Sequence, residues 1–149
     1  MIDLYSWSTA NGRKIKRWRH PNDNLEPILY KAGWVKHPST IWLFQSAYNY
    51  IWLYKHMMAL NEEYKKRYNH KKDHMTIEKL GAILKFPPTN ALYNKIATDP
   101  TPAMPEHCKV PGDAVASYRK YYILEKKRFA TWKSPAKIPQ WYIEGVKHA

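Results

Sequence analysis

The sequence predicts a mainly α, single-domain protein: a compact helical body with a long central helix, preceded by a small N-terminal β-hairpin. Three observations carry that expectation. Residues 39–68 contain neither Pro nor Gly, and their apolar positions recur at helical spacing. Residues 113–132 repeat that character behind a Pro-Gly pair. Only residues 1–20 alternate apolar and polar types as a half-buried strand does, around an Asn-Gly turn signal.

Taken in order, Ile2, Leu4 and Trp7 punctuate a first strand, and Asn11-Gly12 supplies the positive-φ residues of a tight turn. The return strand carries Arg13, Lys14, Lys16, Arg17 and Arg19. Residues 20–38, with Pro21, Pro27, Gly33 and Pro38, read as a connector holding one short helical turn at 26–32. The central helix, 39–68, takes Ser39 or Thr40 as its cap and spans about 45 Å. Ile41, Phe44, Tyr48, Ile51, Tyr54 and Met58 form one stripe, which Trp42, Trp52, Leu53 and Leu60 widen around most of the circumference. A helix apolar nearly all round belongs in the middle of a core. A shorter helix at 76–84 stops before Pro87-Pro88, within a Pro-rich loop at 85–111. Asp113 then caps a C-terminal helix, 113–132, whose apolar face is Val115, Tyr118, Tyr122, Phe129 and Trp132. Residues 133–149 form a tail.

Charge bounds the function. The 149 residues include 25 Lys and Arg against 12 acidic residues, a formal charge of +13. Such an excess repels itself when folded, so a polyanionic partner is its natural explanation. DNA, duplex or single-stranded, leads; an anionic membrane surface and a merely basic enzyme follow. Seven Trp and 12 Tyr favour nucleic acid, because exposed rings stack on bases. Cys108 is the lone cysteine, so no intramolecular disulfide forms and a reducing cytoplasm is expected, that of the host if the chain is phage-encoded. There is no CxxC and no HExxH pair, so neither metal nor cofactor is expected. No apolar run approaches the ~20 residues of a membrane span, and no secretory signal pattern opens the chain.

Phosphate contacts are expected from Arg13, Lys14, Lys16, Arg17 and Arg19 on the hairpin, and from Arg119, Lys120, Lys127 and Lys133 on and beyond the last helix. Edge strands also carry Lys and Arg to resist aggregation, but this run is denser than protection requires. Trp42, Trp52, Trp132 and Trp141 are stacking candidates, although aromatics at helical spacing are more often core. Ser46 and Asn49, polar within an apolar helix, need partners from neighbouring backbone or from an extruded base. Glu125, beside the apolar face of the last helix, is either a desolvated proton-transfer group or a structural partner for Arg or Tyr. Pairing is the commoner fate. His37, before the central helix, is either a phosphate or acid–base contact or a polar boundary residue.

Several blocks resemble a phage and bacterial family related to pyrimidine-dimer DNA glycosylases, the endonuclease V-like group. They are His37-Pro38-Ser39-Thr40-Ile41-Trp42, Asn49-Tyr50-Ile51-Trp52-Leu53, Glu63-Tyr64-Lys65-Lys66-Arg67-Tyr68 and Ala103-Met104-Pro105. Val110-Pro111-Gly112-Asp113, Ser117-Tyr118-Arg119, Glu125-Lys126 and Thr131-Trp132-Lys133 complete the match, over about residues 33–142. The resemblance implies a helical fold, DNA as substrate, and base excision with strand cleavage through a Schiff base on the chain's own N-terminal amine. Bulky Ile2 after Met1 departs from that pattern, since removal of the initiator Met needs a small second residue. No nucleophile is therefore carried over, and His37, Glu125 and Lys126 stand as the catalytic candidates, with Arg119 to be tested beside them. A DNA-processing glycosylase or lyase is expected first, with a non-enzymatic phage DNA-binding protein or a regulator of an acidic host protein as the alternatives.

Overall fold

The computed structural model describes residues 3–8, 11–12, 14–88, 94 and 96–148, with side chains outside 3–8 and 14–17. The fold is mainly α, with a small hairpin at its start. Strands β1 (Asp3–Ser8) and β2 (Lys14–Arg19) pair antiparallel, from Asp3 opposite Arg19 to Ser8 opposite Lys14. Gly12 takes φ +77°, the left-handed value the turn signal demanded. The register leaves residues 9–13 between the strands, so the connection is longer than a two-residue turn. In the connector two overlapping helical turns cover 22–29: the Asn22 carbonyl accepts from the Leu25 and Glu26 amides and the Leu25 carbonyl from the Ile28 and Leu29 amides, so the helical stretch overlaps the expected 26–32 but begins and ends earlier. Glu26 accepts from the His20 amide at 2.6 Å and pairs with Lys31.

The expected single helix at 39–68 is two helices, α1 (Pro38–Gln45) and α2 (Ala47–Tyr68). Ser46 between them is extended, at φ −152° and ψ 141°. Asn94 causes the break. Its amide donates to the Gln45 carbonyl at 3.2 Å, and its carbonyl accepts from the Ala47 amide at 3.3 Å. Ser46 then restarts the helix by accepting from the Tyr48 amide at 3.1 Å. His37, not Ser39 or Thr40, caps α1, accepting from the Ser39 amide through Nδ1 at 3.2 Å, with Pro38 in the first turn. Helix α2 ends at Asn69, in the left-handed region, after Lys65, Lys66 and Arg67, whose charges suit a helix C-terminus.

Helix α3 (Met75–Leu80) is shorter than the expected 76–84 and is followed by a 3-10 turn at Ile83–Lys85. Tyr50 and Tyr54, one turn apart on α2, donate their hydroxyls to the carbonyls of Leu84 (3.0 Å) and Gly81 (3.1 Å). Buried Asn61 closes the other end. It donates to Asp73 and accepts from the His74 amide, both at 2.8 Å. The Pro-rich segment contributes a 3-10 turn at Glu106–Cys108, and Gly112 (φ +75°) turns the chain into Asp113, the cap of α4 (Ala114–Leu124). That helix stops eight residues short of the expected end at 132, giving way to a 3-10 turn at Lys127–Phe129. The supposed tail folds as α5 (Gln140–Lys147), packed on α4 so closely that a Cβ on Gly145 would lie 2.2 Å from Ile123 Cδ1.

Among the described residues the buried apolar set is small: Trp42, Ile77, Leu80, Cys108, Ala114 and Tyr142. Helix α2 is not sheathed on all sides as its composition predicts. Its buried residues are Asn49 and Asn61, whereas Tyr48, Trp52 and Leu60 are exposed.

Candidate nucleic-acid interface

Part of the uncovered apolar surface, including Tyr48, Trp52 and Tyr122, lines one open cleft of about 940 Å³. Its first wall is α1 and the start of α2, presenting Trp42, Tyr48 and Trp52; its second is α4 and α5, presenting Tyr118, Tyr122 and Trp141. The segment Ala97, Thr98, Asp99 and Pro100 closes one side.

A short polar network fixes that third side. Asn49 donates through Nδ2 to the Trp42 carbonyl and to Thr98 Oγ1, both at 2.9 Å, and accepts from the Thr98 amide at 3.0 Å. The Trp42 indole donates to the Thr98 carbonyl at 3.0 Å. Every polar atom of the Asn49 side chain is thereby occupied, so Asn49 braces the cleft and does not read a base. Ser46 is likewise explained by its cap. Across the cleft, Ser117 pins the start of α4, accepting from the Val110 amide at 2.8 Å and donating to the Asp113 carbonyl at 2.7 Å.

The rings are graded from floor to rim. Trp42 is buried and meets Trp52 edge-on at 5.8 Å. Trp52 is 50% exposed and stacks on His56 at 5.1 Å with the rings 11° from parallel. The Arg119 guanidinium lies 5.6 Å over the Trp141 ring, and Lys55 adds a second cation to the lining. A cation over a ring face is attracted by the ring's quadrupole, which helps fix the ring's position.

The cleft therefore gathers three of the expected stacking residues, Trp42, Trp52 and Trp141, with one expected phosphate contact, Arg119. Trp132 does not join them; it packs on Tyr142 at 4.8 Å. Lys120 and Lys127 are exposed, and Lys133 lies 5.7 Å over the Tyr68 ring. Arg19 pairs with Asp23 at 2.5 Å. Arg13 lies outside the described residues, as do the side chains of Lys14, Lys16 and Arg17.

The three catalytic candidates stand apart from the cleft lining. His37 caps α1. Glu125 is not desolvated. Helix α4 ends at Leu124, which turns Glu125 out as an exposed C-cap, 2.7 Å from His107 Nε2. Lys126 Nζ sits over the rings of Tyr121 (5.1 Å) and Phe129 (5.7 Å).

Trp34 escaped the sequence reading. It is 85% exposed and holds φ +53°, a backbone value costly for a bulky residue. Its neighbour Gly33 drew attention instead, as a loop residue.

No protein-family model matches the chain, and comparison with curated proteins and with solved structures gives no match.

Proposed function

We propose that this protein binds nucleic acid, DNA foremost, by stacking unpaired bases in the aromatic cleft while cations at its rim meet phosphates. The observation that carries the reading is the Arg119–Trp141 pair at the edge of a groove walled by Tyr48, Trp52, Tyr118 and Tyr122. Rings in that number, left open in a chain of charge +13, match a ligand that is planar, apolar-faced and anionic at once. A single nucleic-acid strand has those three properties, its bases supplying the flat apolar faces and its phosphates the charge. An acidic protein surface shares the charge but lacks flat faces to enter a recessed groove.

The test is equilibrium binding of a fluorescent single-stranded oligonucleotide and of the matching duplex over rising salt. The account expects the single strand to bind more tightly, with the logarithmic affinity falling by about 0.7 per released phosphate contact. Trp52→Ala should weaken binding about 5- to 150-fold, equivalent to ~1–3 kcal/mol per stacked base. Salt-independent affinity, or an unchanged Trp52→Ala, refutes the reading.

Base excision of the pyrimidine-dimer glycosylase kind is the finer half of this proposal. Lys126 and Glu125 supply an amine and a carboxylate side by side beyond α4. Neither lines the cleft, and so binding, not excision, is the conclusion. Borohydride trapping on abasic DNA separates the two: a covalent adduct lost in Lys126→Ala supports excision at that amine. Binding without any adduct removes it.

A further inference from the structure

At the far end of α4, three side chains of metal-ligating type converge. His107 and Cys108 are consecutive in the 3-10 turn of the Pro-rich segment, and Glu125 caps α4. Their ligand atoms (an imidazole nitrogen, the thiol sulfur and a carboxylate oxygen) all lie within 4.8 Å of one another. The His107 Nε2 to Glu125 Oε1 distance is 2.7 Å. Cys108 is fully buried, and among the described residues its Sγ makes no hydrogen bond.

We propose that His107, Cys108 and Glu125 form a three-ligand site for a zinc-class divalent transition metal, with its fourth position open to water. This inference is independent of the nucleic-acid reading. The donor set decides the metal. Thiolate and imidazole select borderline or soft ions over Mg2+ and Ca2+, and one carboxylate completes a mixed S, N, O shell that zinc accepts. Size agrees as well. Metal–ligand bonds of about 2.0–2.3 Å at tetrahedral angles place donor atoms roughly 3.3–3.6 Å apart. Reaching that from the present arrangement needs the exposed His107 and Glu125 side chains to part slightly and to close on the buried Cys108 thiol, movements of about an ångström. On binding, the Cys108 S–H bond breaks heterolytically, its proton goes to solvent, and the thiolate pair becomes the metal ligand. His107 Nε2, which donates its proton to Glu125 in the metal-free arrangement, loses that proton to solvent or to Nδ1 and offers the freed lone pair to the metal. Bound metal would tie the loop before α4 to the end of α4, a closure that no other pair of described side chains makes there.

The spacing explains why no motif announces the site. Two ligands are adjacent and the third follows 18 residues later, in place of the CxxC or HExxH spacing that zinc motifs use.

Chelator-treated full-length protein is titrated with Co2+ alone and then with Zn2+ against a chromophoric competitor. The proposal expects one ion per chain and a near-ultraviolet thiolate-to-cobalt charge-transfer band that Zn2+ abolishes. Because Cys108→Ser removes a buried group, the decisive variants are His107→Ala and Glu125→Gln, at exposed positions. Each should keep its helical circular dichroism while losing more affinity than the roughly 10- to 100-fold that loss of an outer-shell partner costs. No stoichiometric binding, no charge-transfer band, or wild-type affinity in both variants overturns the assignment.

Discussion

Asn49 and Asn61 are the residues of α2 most withdrawn from water, and each is an amide whose donor and acceptor both reach across to another segment. A buried amide that loses its partners costs about 1–3 kcal/mol. Asn49→Ala should therefore lower stability by about that amount, read as a shift in the denaturant midpoint. It should also weaken oligonucleotide binding, because the Thr98 wall is released. Around Asn61 the chemistry becomes pH-dependent. Hydrogen bonding from Asn61, then from Lys65, holds the Asp73 carboxyl below its ordinary range, while Glu62 and Asp73 push Lys65 upward. A lowered carboxyl contributes stability that is present above its ordinary value and lost as pH falls through its folded value. A raised ammonium contributes stability that is present below its ordinary value and lost as pH rises through its folded value. The predicted melting temperature is thus flat near neutrality, falling below about pH 4 and again above about pH 10. Asp73→Asn should flatten the acid limb; an unchanged limb would contradict the pairing.

At the scale of elements, α1, α2 and α4 were legible in outline because apolar periodicity and the Asp113 cap are local signals. The break at Ser46 was not. It arises from the backbone of Asn94, nearly fifty positions away in sequence, and the extended Ser46 becomes a cap only when that contact exists. Helix α5 was hidden by its brevity and by two preceding prolines, and it is held by close approach to α4 rather than by propensity. The same limits governed the site. Trp42, Trp52, Trp141 and Arg119 were nameable as residue types, yet only tertiary structure sorts Trp42 to the floor and Arg119 to the rim, and leaves Trp132 aside. Two substitutions probe these devices. Ser46→Ala removes the α2 cap and should cost about 1 kcal/mol. Gly145→Ala drives a methyl into Ile123 and should cost about 1–3 kcal/mol by overpacking, measured by thermal unfolding. A neutral Gly145→Ala would show that α5 does not pack as described.

Taken whole, the molecule pairs a strong positive charge with an uncovered aromatic groove, and the proposed binding of nucleic acid would answer both at once. Burying open rings against bases removes apolar surface from water, and bringing phosphates to the rim relieves the self-repulsion of +13 charges. Helices α1, α2, α4 and α5 hold the rings in place, with Asn49 and Ser117 as braces. The β1–β2 ribbon supplies further cations in its sequence. What most directly tests the account is photo-cross-linking of a single-stranded oligonucleotide carrying a photoreactive base, with the adducts located by mass spectrometry. Adducts are predicted on Trp52, Tyr118 or Trp141, the walls and rim of the groove. Adducts confined to residues 3–19, or spread evenly over the surface, would contradict it.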